Sequence, residues 1–182
     1  MPPDARLLVA DDDPDVLKAA AVALARTGAA VDTAGSLGQL RGLATSGRYD
    51  AVLLDMNFAP AARDGGEGLA GLAELRTLDP ALSVVLMTTY GGVALAVQAL
   101  KRGAADFVLK PWRNEALVEA MQAAAALTAE RRASGAALNL DDMERRAIVR
   151  ALSLYEGNVS HAAAALGLTR PALYRRMERH GL

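Results

Sequence analysis

Four short apolar runs in the first two thirds of the chain each stop abruptly on polar residues. Leu7-Leu8-Val9-Ala10 stops on Asp11-Asp12-Asp13, and Ala51-Val52-Leu53-Leu54 on Asp55. Val84-Val85-Leu86-Met87 stops on Thr88-Thr89, and Phe107-Val108-Leu109 on Lys110-Pro111. Uninterrupted runs of this length fit strands buried on both faces. A further short strand is predicted over Ala30 to Ala34. Between the strands, apolar residues recur at helical spacing. Asp13 caps and Pro14 opens a helix whose face is Val16, Leu17, Ala20, Ala21 and Leu24, and Gly28 ends it. Other helices are predicted over Leu37 to Ser46, around Leu69 to Leu78, from Val93 to Arg102 and from about Asn114 to Arg132. Five strands alternating with five helices give an α/β fold class, a five-stranded parallel sheet covered on both faces.

The pattern changes after residue 132. Ala133-Ser134-Gly135-Ala136-Ala137 is short and of low complexity, so residues 133–138 read as a linker between a unit over 1–132 and a second over 139–182. In the second unit only the helical period remains. Leu140, Met143, Ala147, Ile148, Ala151, Leu152 and Tyr155 form an apolar stripe, with Asp141 and Glu144 spaced as a capping box. Gly157-Asn158 breaks that helix, Val159 to Leu166 is a second, Gly167-Leu168 a tight turn, and Thr169 to His180 a third. This all-α, three-helix unit, with a basic last helix after a glycine turn, has the outline of a helix-turn-helix.

Composition narrows the picture. The 182 residues suit one medium domain with a small appendage. No cysteine is present, which excludes disulfides and thiolate metal sites. The alanine-rich segments are interrupted by charges and glycines too often to cross a bilayer. Met1-Pro2-Pro3-Asp4 lacks the basic and apolar regions of a secretion signal, so no membrane partner and a cytoplasmic location are expected. The formal net charge of −1 hides an asymmetry. From Asn139 to Leu182 seven arginines face five acids, a surplus of two that leaves −3 for the rest, and the arginines cluster towards the last helix.

The chemistry is predicted where the strands end. In an open parallel sheet, ligands bind beyond the carboxyl ends of the strands, near the point where strand order reverses. That rule gathers Asp11, Asp12, Asp55, Thr88 and Lys110. Three carboxylates so close repel unless a cation sits among them, which points to Mg²⁺ held by oxygen ligands, with Lys110 as a fixed counter-charge. One acidic strand end alone reads as a cap; this set reads as a site. Asp13 and Asp15 belong to capping and surface. His161 and His180 have no carboxylate or cysteine at metal-ligand spacing and are expected at the surface or as caps. Trp112 is expected to pack at the start of the last sheet-covering helix, and Leu173 and Met177 to seal the third C-terminal helix onto Val159, Ala163 and Leu166. Phe58 and Tyr90 either line the site entrance or pack.

These residues carry a resemblance. Residues up to roughly Arg132 resemble a response-regulator receiver domain through Asp11-Asp12, Asp55, Thr88 and Lys110-Pro111 in order. Residues 139–182 resemble the Fis-type helix-turn-helix of bacterial regulators, through Asn158-Val159-Ser160-His161-Ala162-Ala163, Leu166-Gly167-Leu168-Thr169-Arg170 and Leu173-Tyr174-Arg175-Arg176-Met177. The resemblance implies a flavodoxin-like (βα)5 fold in which Asp55 accepts a phosphoryl group from a sensor histidine kinase. It implies that Asp12, Asp55 and the backbone carbonyl of Asn57 hold Mg²⁺, with Asp11 acting partly through a bound water. Thr88 would then contact a phosphoryl oxygen, Lys110 would pair with carboxylate or phosphate, Phe107 would occupy the aromatic switch position, and Pro111 would follow a cis bond. The readout face would be formed by the Val93 helix, the Phe107 strand and the last helix of the receiver.

In the second unit, Thr169, Arg170 and Ala172 would lie near base edges, and Tyr174, Arg175, Arg176 and Arg179 would reach bases or phosphates of double-stranded DNA. A homodimer on a palindromic site is expected. The loop after Asp55, residues 56–68, is longer than in most receivers and resembles the NtrC type, as do Thr88-Thr89-Tyr90-Gly91 and Lys110-Pro111-Trp112. NtrC-type relatives usually carry a central ATPase that engages sigma-54 polymerase. The sequence has no Gly-x-x-x-x-Gly-Lys-Ser/Thr phosphate loop, and the linker leaves no room for such a domain. The expected function is therefore a non-enzymatic, direct DNA-binding regulator, like the short regulators of redox and photosynthesis genes. The competing reading is a phosphorelay intermediate or phosphate sink whose C-terminal helices only dimerise. An enzyme on the same fold is disfavoured, since no nucleophile and base pair or cofactor loop occurs.

Overall fold

In the computed structural model, which describes residues 4–58, 66–89, 93–134 and 140–182, the apolar runs assemble into one parallel sheet. Its strands are β1 (Arg6–Ala10), β2 (Ala30–Ala34), β3 (Ala51–Asp55), β4 (Ser83–Thr89) and β5 (Asp106–Lys110), in the order β2-β1-β3-β4-β5. The helices between them are α1 (Pro14–Ala25), α2 (Leu37–Ser46), α3 (Gly66–Leu78) and α4 (Val93–Lys101), and α5 (Asn114–Ala133) follows β5. The strand order reverses between β1 and β3, so the ends of these two strands open the crevice in which Asp11 and Asp55 stand.

Every residue of β3 is buried, as its unbroken apolar run requires. Alternate residues serve opposite faces. Leu7, Val9, Leu53, Val85, Met87 and Val108 pack with Ala20 and Leu24 of α1 and Leu117 and Met121 of α5. Leu8, Val52, Leu54, Val84 and Leu86 pack with Leu40 of α2, Leu69, Leu72 and Leu75 of α3, and Ala99 of α4. Asp13 caps α1 by accepting from Asp15 N, and Pro14 occupies its first turn. Ser36 caps α2 in the same way through Gln39 N.

The C-terminal unit is three helices, α6 (Leu140–Leu154), α7 (Val159–Ala165) and α8 (Arg170–Arg179). Ile148, Ala151, Ala162, Ala163 and Leu173 form its core, with Val159, Leu166 and Met177 packed against it, so Leu173 and Met177 are core as expected. Asn158 caps α7, its side chain accepting from Ser160 N at 3.1 Å and His161 N at 3.2 Å. Gly167 adopts φ 66° in the turn, a conformation most side chains avoid.

Two expectations change. The helix that Asp141 and Glu144 were expected to open already includes Leu140, and the Glu144 carboxylate reaches across to α8. His180 does find a carboxylate, because Glu144 comes to it through tertiary packing rather than sequence spacing, although it also serves as the α8 C-cap. Residues 59–65 of the long loop, Tyr90, Gly91 and the linker over 135–138 lie outside the described residues.

Candidate functional site

The sheet places five predicted polar residues at one edge because each terminates a parallel strand or its loop. Asp11 follows β1 and is fully buried; Asp55 ends β3 and is nearly so; Asp12 is exposed. Lys110, the last residue of β5, reaches back over the crevice. Its Nζ donates to Asp11 Oδ2 and lies 2.7 Å from Asp55 Oδ1. The other oxygens are held by backbone: Asn57 N–H donates to Asp55 Oδ2 at 2.8 Å, and Asp13 N–H to Asp11 Oδ1 at 2.9 Å.

Electrostatics follow from this packing. Burial raises the Asp11 carboxyl above its usual range, although Lys110 and the Asp13 amide oppose it. Burial acts to lower the Lys110 ammonium, but its bonds to Asp11 and Asp55 outweigh burial and raise it, so it stays charged. The carboxylates of Asp11, Asp12 and Asp55 offer oxygens within 4.8 Å of one another. A compact, all-oxygen set with one exposed member fits a hard divalent cation such as Mg²⁺.

Thr88 is buried near the end of β4, and its hydroxyl donates to the Thr89 carbonyl over a long 3.4 Å. Phe107 is half-buried on β5 against the α2–α3 side of the sheet. The Lys110–Pro111 peptide is cis, as the resemblance implies. Trp112 packs against the α1–α5 core as expected, and Phe58 packs against the opposite core. On α4, Val97 and Leu100 are exposed.

One residue the sequence reading passed over shapes the site. Gly68 in α3 lies against the end of β3: its N–H donates to the Met56 carbonyl at 3.0 Å, and a Cβ here would sit 2.5 Å from Met56 Cα and 2.7 Å from the Asp55 carbonyl oxygen. No side chain fits. Beside it Glu67 accepts from Phe58 N at 2.9 Å, so the start of α3 fixes both ends of the loop after Asp55. The only signal in the sequence is the glycine triplet Gly65, Gly66 and Gly68.

In the C-terminal unit the predicted residues separate into two groups. Thr169 caps α8, its hydroxyl accepting from Ala172 N at 3.4 Å. Arg170 and Arg175 are exposed, Ala172 is half-buried, and the Arg170 guanidinium lies 5.6 Å over the Tyr174 ring. Arg176 and Arg179 turn the other way. Arg176 Nε donates to Glu144 Oε1 at 2.6 Å, Arg179 bonds Glu144 Oε2 and reaches Asp141 at 3.4 Å, and His180 Nε2 lies 2.8 Å from Glu144 Oε2.

Residues 7–122, more than half of the chain, match the response regulator receiver domain. The chain belongs to the response regulator receiver family. Residues 139–180 match the Fis family of bacterial regulatory proteins. Among curated relatives, the transcriptional regulatory protein ZraR of Salmonella typhimurium is 38% identical over 82 residues, 45% of this chain and 18% of that protein. The photosynthetic apparatus regulatory protein RegA of Cereibacter sphaeroides is 33% identical over 108 residues, 59% of this chain and 56% of that protein. This receiver therefore matches only part of the length of those regulators. Among solved structures, the receiver domain of NtrX from Brucella abortus superposes with a TM-score of 0.61 at 30% identity, covering 66% of this chain and 98% of that one. A signal receiver domain of a two-component response regulator from Bacteroides fragilis gives 0.60 at 36% identity, over 67% and 97%.

Proposed function

We propose that this receiver accepts a phosphoryl group on Asp55 from a sensor histidine kinase and thereby controls sequence-specific binding of its helix-turn-helix to double-stranded DNA. The observation that carries this reading is Lys110 bridging Asp11 and Asp55 at the strand ends, in the same chain as an α8 whose Arg170 and Arg175 face solvent. An Asp55 carboxylate oxygen attacks the phosphorus of phosphohistidine. The P–N bond breaks, and the imidazole nitrogen keeps the electron pair and takes up a proton. Asp11, Asp12, Asp55 and the Asn57 carbonyl would hold Mg²⁺, which supplies charge neutralisation for the phosphoryl oxygens. Lys110 offers the new phosphate a cation, and Thr88 offers it a hydroxyl donor.

Phosphorylation adds about −1.5 to −2 charges beside groups already balanced around Lys110. Thr88 is then drawn towards Asp55, and Phe107 moves into the space left, which shifts the population of receiver states. Thr169, Arg170, Ala172, Tyr174 and Arg175 would approach base edges and backbone. Arg176 and Arg179 would reach phosphates only after leaving Glu144. The protein acts in the cytoplasm as a homodimer, without ATP hydrolysis, since six residues between the units cannot hold an ATPase domain.

The test is selection from a genomic DNA library at fixed salt, with and without Mg²⁺ and acetyl phosphate, with intact mass followed in parallel. Enriched palindromic sites that tighten on phosphorylation, with both responses lost in Asp55→Asn, are expected. Modification of Asp55 without enrichment in either state would overturn the DNA-binding role in favour of a relay or phosphate sink.

A further inference from the structure

The amino ends of the strands, opposite the acidic crevice, carry the reverse charge. α6 packs against α2 and α3, and between them lies a cleft of about 570 Å³, within the size range of small-molecule sites. Four arginines line it: Arg48 from the turn between α2 and β3, Arg132 from α5, and Arg146 and Arg150 four residues apart on α6. Asp79 is the one carboxylate in the lining, and Asp50 joins Arg132 as a second, so two positive charges remain in surplus. Ala44, Leu78, Leu82, Met143 and Ala147 supply an apolar wall.

The four arginines are not equivalent. Arg132 is engaged by the protein itself: it donates to Asp79 Oδ2 at 2.9 Å, to Asp50 Oδ1 at 3.1 Å and to the Tyr49 carbonyl at 2.7 Å, and its side chain is 13% exposed. Arg146 is similarly enclosed, at 15%. Arg48 and Arg150 are exposed, stand on different units and make no hydrogen bond or ion pair among the described residues. Arginines near helix ends commonly bond the last carbonyls, and α2 and α3 both end at this cleft, yet Arg48 bonds none of them. On α6, Arg146 and Arg150 are like charges at a spacing that costs helix stability unless an anion lies beside them.

We propose that this cleft binds a nucleotide, its phosphates bridging Arg48 and Arg150 and its ring lying against Leu82 and Met143. Guanidinium groups suit phosphate because their fork of N–H donors matches its oxygens. Two of them approaching from different units need an anion with several oxygens, which a diphosphate offers. An inorganic anion satisfies the arginines but leaves the apolar wall wet, whereas a nucleotide serves both. The site lies beyond the opposite end of β3 from Asp55 and is separate from the acidic crevice. The proposal depends on neither phosphorylation nor DNA binding, and its test uses neither.

The experiment is titration calorimetry of the full, unphosphorylated chain with ADP at fixed low salt, with EDTA present so that no metal–nucleotide complex reaches the acidic crevice. Arg48→Gln and Arg150→Gln change exposed side chains, and cooperative thermal unfolding verifies that each variant folds. One ADP per chain is expected, with affinity lowered about tenfold or more by either change. Arg26→Gln, an equal loss of charge just after α1, is expected to leave the affinity as it was. Bound ADP should slow amide hydrogen exchange over residues 44–49 and in α6, and pyrophosphate should bind more weakly than ADP. Absence of ADP binding at millimolar concentration, or binding that survives both substitutions, would overturn the site. Pyrophosphate binding as tightly as ADP would overturn the part given to the apolar wall, and with it the nucleotide.

Discussion

Gly68 and Tyr49 carry more of this molecule than their residue types suggest. Gly68 lets α3 approach the backbone that follows Asp55, and any Cβ meets backbone atoms that cannot swing aside. Gly68→Ala is therefore expected to cost about 1–3 kcal/mol through overpacking, read as a lower urea midpoint with an unchanged slope. Tyr49 is buried, with its hydroxyl donating to Asp32 at 2.8 Å and Arg6 lying over its ring. Burial first, and then the Asp32 bond, push its phenol from 10.0 up to about 12. The native state keeps this proton where the unfolded chain has lost it. Its contribution is complete below the unfolded value and falls as pH rises from about 10 to 12, by about 1.4 kcal/mol per unit. Unfolding free energies of Tyr49→Phe across that window should decline less steeply than those of the wild type.

At the scale of elements, single polar groups fix how helices meet the sheet and each other. Thr128 of α5 is fully buried; its Oγ1 accepts from Ser83 N at 2.9 Å and donates to the Ala124 carbonyl at 3.1 Å. Thr128→Val keeps the shape but strands a buried amide at the start of β4. A loss of about 1–3 kcal/mol is expected, with faster hydrogen exchange at Ser83. In the C-terminal unit, Asn158→Ala removes the α7 cap and should cost about 1 kcal/mol in thermal unfolding. Glu144 joins α6 to α8 through Arg176, Arg179 and His180 and so orients the helix that carries Arg170. On that helix, Arg170→Ala is expected to relax base preference by about 1–3 kcal/mol at one position. Quantitative binding to single-base operator variants measures this; equal weakening on all sequences would assign Arg170 to phosphate.

At the scale of the whole molecule, the chain has charge centres at both ends of its central strand. Lys110 balances Asp11 and Asp55 beyond the carboxyl end of β3, and Arg132 joins Asp50 and Asp79 beyond its amino end. Between them runs a strand buried at every position, a stiff connection packed on both sides. Removal of divalent cation by a chelator should leave the fold intact, because Lys110 already neutralises much of the buried charge. Circular dichroism before and after chelation tests this expectation, while phosphorylation by acetyl phosphate should be lost.

By itself the sequence determined the alternation of strands and helices, because apolar runs and helical periodicity are local properties that burial reinforces. The same holds for the residues at strand ends: a parallel sheet brings Asp11, Asp55, Thr88 and Lys110 to one edge whatever the details of packing. The cap at Asp13 was legible too, since it acts on an amide two residues away. Only the tertiary structure decided what depends on approach between distant segments. Gly68 is indispensable because β3 passes beside it. Glu144 serves Arg176 and His180 rather than its own helix end because α8 lies across α6. Asp79 sits between Arg132 and Arg146, 53 and 67 residues further along the chain, and ion pairs at such separations leave no period or spacing to read.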